Sequence, residues 1–228
     1  MKKFLLLSLL ALLGAAPIPA FARELSRAGC VTQVETCEAI LQEFQNDPAN
    51  AVPASILHQA KAIIIVNQFK AGFFLGVKDG YGVILVKQAS GRWSLPVLIS
   101  AGEASLGFQI GAKSIETIMV VTDEQTPRIL FNQRFNVGVD AKAVAGPKAA
   151  EVEKDNHELI NAPILVYTKT KGLYAGATVK AGWLQRSDDV NFILYNTAYT
   201  MPELLYSDWV QPIPEVVPLM NYVQKIAP

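Results

Sequence analysis

Cysteine and histidine are scarce in this chain, with two of each in 228 residues. His58 and His157 lie in different segments, and neither stands at a spacing from carboxylates or thiols that spells a zinc site. No metal is therefore expected. An excess of charge is also missing, because 20 basic residues face 20 acidic ones. Nucleic acid is excluded as a partner on that balance, since neutralising phosphates takes a basic footprint. Motifs of catalysis and cofactor binding are absent too. Gly102-Glu103-Ala104-Ser105-Leu106-Gly107 lacks the glycine spacing of a nucleophile elbow. Gly76, Gly80 and Gly82 come without the lysine, hydroxyl and following helix of a phosphate loop. Asp188-Asp189 reads as a helix start rather than an acid/base pair. The chain is expected to be no enzyme and to carry no cofactor.

Long apolar runs are limited to one, Phe4 to Ala16, preceded by Lys2 and Lys3 and followed by Ala20-Phe21-Ala22. Its 13 residues fall short of the roughly 20 that a helix needs to span a bilayer. Basic start, short apolar stretch and small-x-small site together predict a signal peptide over residues 1–22, cleaved near Ala22. The protein is then exported, to the periplasm or envelope. A retained anchor, or a lipoprotein signal at Arg27-Ala28-Gly29-Cys30, is the alternative, although Arg27 stands where a lipoprotein signal wants an aliphatic residue. Export favours a disulfide between Cys30 and Cys37. On one continuous helix, residues seven apart are separated by about 10.5 Å, beyond the roughly 7 Å that a disulfide bridges. Thr32-x-x-Glu35 reads as a capping box, however, which starts the helix after Thr32 and leaves Cys30 free to fold back.

The rest of the chain predicts an α+β fold: a predominantly antiparallel, strongly coiled sheet or half-closed barrel with short N-terminal helices. Residues 33–45 carry Val34, Cys37, Leu41 and Phe44 on one stripe and form the first helix. A second runs from about Pro53 to Ala60. Ile63 to Val66 is a β-branched run that reads as a fully buried strand. Alternation of apolar and polar residues then predicts strands over 106–113, 134–143 and 173–183, with further strands at Tyr81–Lys87 and Arg92–Leu95 around the turn Gln88-Ala89-Ser90-Gly91. Glycines in the polar register of these strands fit a sheet that coils on itself. A membrane-inserted barrel is the alternative, with Arg134, Asp140, Lys142 and Lys180 facing its lumen. Residues 188–196 read as a last helix, and Pro202, Pro212, Pro214, Pro218 and Pro228 mark an extended tail that lies on the domain or reaches for a partner.

The phrases that carry most information are Phe69-Lys70-Ala71-Gly72-Phe73, Gly107-Phe108-Gln109-Ile110-Gly111-Ala112 and Lys169-Thr170-Lys171-Gly172-Leu173-Tyr174-Ala175-Gly176. With Val52-Pro53, Ala60-Lys61, Gly80-Tyr81-Gly82-Val83, Trp93-Ser94-Leu95-Pro96 and Ala145-Gly146-Pro147 they stand in the order seen in the SYLF domain. The chain resembles that family from about residue 52 to residue 196. The division implied is a signal peptide (1–22), an N-terminal helical segment (23–51), the SYLF-like β-rich domain (52–196) and a proline-rich tail (197–228). The resemblance implies a lipid-binding module whose eukaryotic members bind anionic phospholipids and some of whose fungal members bind actin. Lys61, Lys70, Lys169 and Lys171 fall within the matching phrases and are the candidate headgroup ligands. The expected partner is a phospholipid surface. The alternative is a protein-interaction module of the envelope that docks a protein partner through its sheet edge or tail. Export to a compartment without actin makes actin an unexpected partner.

Overall fold

The computed structural model describes residues 26–72, 75–106, 111–129, 134–137, 140–147, 162–171 and 182–228, with 70–72, 75–79, 103–106 and 111–113 described by backbone alone. Helix α1 spans Arg27–Gln45 and α2 spans Ala54–Gln59. Strands β1 (Ala62–Gly72), β2 (Leu75–Val86), β3 (Val97–Leu106) and β4 (Gly111–Val121) follow, then the single turn α3 (Thr126–Ile129). Strands β5 (Phe135–Asn136), β6 (Ala143–Ala145), β7 (Ile164–Lys171) and β8 (Trp183–Arg186) complete the sheet. Helices α4 (Asp188–Tyr195), α5 (Met201–Tyr206) and α6 (Val217–Ile226), with a 3-10 turn at Pro214–Val216, end the chain.

The described strands form one sheet in the order β5-β8-β3-β2-β1-β4-β7-β6. Every pairing is antiparallel except β6 with β7. The expected α+β class holds, with the sheet curled into a half-barrel. Leu106 pairs with Leu75 and Gly111 with Gly72, at the same end of the β1–β2 pair. Of the alternating run at 106–113, Leu106 ends β3 and Gly111 begins β4, while 107–110 lie outside the described residues. The run at 134–143 also divides. Asp140 Oδ2 accepts from the Asn136 N–H at 2.6 Å and the Asp140 N–H donates to the Asn136 carbonyl at 2.9 Å. That local bonding competes with a straight strand, and β5 and β6 end up at opposite edges of the sheet. Most of the strand expected over 173–183 lies outside the described residues.

Residues 62–66 of β1 are all buried. Burial of consecutive strand residues requires cover on both faces, as the run Ile63 to Val66 predicted. Helix α1 lies on β1 and β2 and packs against α4 and α6. It buries Cys30, Val34, Cys37, Ile40, Leu41 and Phe44, each fully buried side chain of this size contributing about 1.5–3 kcal/mol against exposure. The helix starts earlier than its sequence signal predicted. Ser26 is the N-cap, its Oγ accepting from the Gly29 N–H at 3.1 Å, while Thr32 sits inside the helix and donates to the Ala28 carbonyl at 3.0 Å.

The earlier start corrects the disulfide. Cys30 and Cys37 both lie in α1, two turns apart, and both are free buried thiols. Their sulfurs turn to different carbonyls, Cys30 to Val190 and Cys37 to Ile65, each at 3.8 Å. The separation that a continuous helix enforces forbids the bridge.

The segment expected as an extended proline-rich tail is helical and enters the core. Pro202, Pro214 and Pro218 each stand at the start of a helical turn, where a missing N–H costs nothing. The Glu203 carboxylate accepts from the Thr200 N–H at 2.7 Å and closes the first turn of α5. Met201, Leu204, Leu205, Val216, Leu219, Val223 and Ala227 are buried. Trp93 Nε1 donates to the Ala227 carbonyl at 2.7 Å, and Arg27 pairs with Glu215 at 2.8 Å. The chain's two described ends are thereby joined.

Candidate functional site

The four candidate lysines occupy three separate places. Lys61 precedes β1, is exposed and pairs with Glu124 at 3.4 Å. Lys70 lies nine residues further along, near the hairpin end of β1. At roughly 3.3 Å per strand residue that is about 30 Å, so Lys61 and Lys70 cannot share a headgroup.

Lys169 and Lys171 belong to β7, in alternate positions that place them on one face. There they meet the last turn of α1. Lys169 Nζ lies 2.8 Å from Glu43 Oε1 and 3.7 Å from Asp47 Oδ2. Lys171 Nζ lies 2.5 Å from Glu43 Oε2 and 2.8 Å from Oε1 of Glu116, a buried carboxylate of β4. The hydrogen bonds from Lys169 and Lys171 hold the Glu43 carboxyl below its ordinary range. Hydrogen bonds to Glu116 and then Glu43 raise the Lys171 ammonium, and the bond to Glu43 raises that of Lys169. Two cations against three carboxylates leave this cluster with a surplus of negative charge. Its chemistry is that of a clasp between α1 and the sheet, and an anionic ligand would have to displace Glu43.

Around Lys70 the register brings like charges together. Lys70 pairs with Lys78 of β2 on one side and with Lys113 of β4 on the other. Lys78 in turn pairs with Glu103 of β3. Three lysines therefore stand side by side on three adjacent strands, with one carboxylate at the end of the row. Like charges in directly opposed register positions are unfavourable in a sheet, and an anion offsets such an arrangement. Sequence reasoning found Lys70 and missed Lys78 and Lys113, because the signal is in strand register and not in local spacing.

Beside this end of the sheet, an open cleft of about 450 Å³ lies between α1, α4 and strands β1 to β3. Phe69, the neighbour of Lys70, lines it and is 58% exposed. Among the described residues no group of histidine, cysteine, aspartate and glutamate could hold a metal ion. His58 is exposed on α2, and His157 lies outside the described residues. No described helix is long and apolar enough to cross a membrane.

Comparison with known proteins gives the architecture its relatives. Residues 102–226 match the family Ysc84, described as "Las17-binding protein actin regulator". The match thus includes α5 and α6, which the family phrases did not reach. An SH3 domain-containing protein of Schizosaccharomyces pombe, PJ696.02, is 29% identical over 164 residues, covering 71% of this chain and 38% of its own. SH3 domain-containing YSC84-like protein 1 of Homo sapiens is 24% identical over 187 residues, 79% of this chain and 55% of the relative. LAS seventeen-binding protein 3 of Saccharomyces cerevisiae is 26% identical over 180 residues, 77% and 39% of the two chains. This chain therefore spans between about two fifths and a little over half of each relative. Matched over more than half its length by the family profile, with the SYLF phrases in order along its sequence, the chain belongs to the Ysc84 family of SYLF-domain proteins.

Proposed function

We propose that this protein is a non-enzymatic, phospholipid-binding protein of the bacterial envelope that meets anionic headgroups with the β1–β2 hairpin end. The observation that carries the reading is the row Lys113–Lys70–Lys78 across three strands. A lysine close to an anionic membrane contributes about 1 kcal/mol, so the row supplies weak attraction that apolar insertion must reinforce. Phe69, one residue before Lys70, is exposed on the opposite face of β1 and offers that insertion where the hairpin end enters the surface edge-on. Lys61 is remote from the row, and Lys169 and Lys171 are engaged by Glu43, so Lys70 is the one original candidate kept as a headgroup ligand. The envelope location rests on the signal-like residues 1–22.

Co-sedimentation with vesicles of phosphatidylglycerol or phosphatidylcholine tests the reading. The wild type should pellet with the anionic vesicles, and Lys70→Glu with Lys78→Glu should abolish pelleting, while Lys61→Glu should not. Equal pelleting of the double variant would remove the row from the site. Periplasmic fractionation with an N-terminus at Arg23 by mass spectrometry is the expected result for location.

A second reading is a protein-binding module. It draws on the family's description as an actin regulator and on a relative named for binding Las17. The expectation that actin is no partner rested on predicted export alone and gains nothing from these relatives. With the C-terminal segment built into the core, a sheet edge is the docking element left to this reading. Co-sedimentation with actin filaments is its direct test.

A further inference from the structure

We propose that the cleft between α1, α4 and the sheet binds one uncharged amphiphile, an acyl chain ending in an ester or glycerol group. The volume of about 450 Å³ lies within the range of small-ligand sites. None of its described lining residues is charged at neutral pH, so among them neither a phosphate nor a free carboxylate finds a counter-ion. Its apolar part comes from the buried Leu98 of β3, which shares a face with Ser100, with Val190 of α4 and the exposed Phe69 ring at the sides.

The polar groups in the lining are arranged to give hydrogen bonds. Asn67, Tyr81 and Ser100 stand opposite one another on β1, β2 and β3. Asn67 Nδ2 donates to the Tyr81 hydroxyl at 3.2 Å, and Asn67 Oδ1 accepts from the Ser114 hydroxyl at 3.2 Å. Tyr81 thus receives one bond, and among the described residues no acceptor takes its own proton. The Ser100 and Ser187 hydroxyls lie 2.6 Å apart, so one donates to the other and the second proton has no acceptor among the described residues. The Gln33 amide lines the same cleft. Two such hydroxyl protons and an amide beside the apolar part match the carbonyl and hydroxyl oxygens of a glycerol ester joined to its chain.

The choice of a lipid-like ligand rests on the membrane reading above, and the test is separable from it. Mono-octanoylglycerol, titrated calorimetrically into the full chain below its micelle concentration, should bind at one saturable site. Octanoate should bind at least about tenfold more weakly, and so should mono-octanoylglycerol to Phe69→Ser or to Val190→Trp. Phe69 is exposed, so its replacement leaves the fold intact even if the tryptophan variant fails to fold. Absence of saturable binding, equal affinity for octanoate, or an unchanged affinity in Phe69→Ser would each overturn the site. A chain that takes mono-octanoylglycerol but ignores phosphatidylglycerol vesicles keeps this cleft and loses the lysine row. The reverse pattern keeps the row and loses the cleft.

Discussion

At the scale of single residues, two positions show how closely the interior is fitted. Gly102 of β3 stands opposite Trp183 of β8, and a Cβ there would come within 2.3 Å of the indole ring. The Arg134 guanidinium lies 4.1 Å from the centroid of that ring. With β3 beneath it and a cation beside it, the indole has little room to retreat. Gly102→Val should therefore cost about 1–3 kcal/mol, the usual range for overpacking. Urea unfolding should show a lower midpoint with an unchanged slope; an unchanged midpoint would mean that the ring moves freely. The cysteines make the second case. Burial pushes the Cys37 thiol up to about 12, and burial raises Cys30 as well. Thiolate is the reactive form, so a thiol reagent at about pH 8 should label neither cysteine in the native protein and both in denaturant, with or without prior reduction. Since an unfolded cysteine ionises near pH 8.5, Cys37 favours the folded state fully below that value and loses this contribution as pH rises toward 12.

At the scale of elements, α1 is held by an apolar stripe and by the Glu43 clasp, and the two respond differently to pH. Glu43 is held below the ordinary carboxylate range by Lys169 and Lys171. A depressed carboxyl stabilises the fold above its unfolded value, and that contribution disappears as pH falls through its folded value. Glu43→Gln should thus lower the melting temperature by a few degrees at about pH 7, as expected for a small loss in a domain of this size. The gap to wild type should close in acid, where Glu43 is itself neutral. A gap that persisted at about pH 2 would assign the effect to packing instead.

The elements also show what could be read from the sequence. Local signals predicted α2 at Pro53, the buried start of β1 and the helix beginning at Asp188, because each rests on neighbours a few residues apart. Thr32-x-x-Glu35 misled, since a capping box in the middle of a helical stripe cannot announce that Ser26 caps first. The prolines from residue 202 onward misled in another way, since proline opens helices as readily as it marks extended chain. Only the burial of Leu219 and Val223 decides between the two. The lysine row was illegible for a stronger reason. Lys70 and Lys113 are neighbours through pairing of β1 with β4, and nothing in either local sequence fixes that register.

At the scale of the whole molecule, balanced charge determines how membrane binding must behave. With 20 residues of each sign the chain has no net attraction for an anionic surface, and removal of Lys2 and Lys3 with a signal peptide would leave 18 against 20. Long-range steering is therefore absent, and attraction acts only where the lysine row comes within a screening length of the headgroups. That length falls from about 30 Å at 0.01 M salt to about 8 Å at 0.15 M. Three lysines at about 1 kcal/mol each supply on the order of 3 kcal/mol in low salt. Losing most of that should cut vesicle affinity by about tenfold to a hundredfold between the two salt concentrations. What remains at high salt measures insertion of Phe69, so Phe69→Ser should lower the high-salt remainder and leave the steepness of the salt response unchanged. Binding to phosphatidylglycerol vesicles that stayed constant across this range would exclude the row as the contact, since three lysines acting on headgroups must lose attraction as salt screens them.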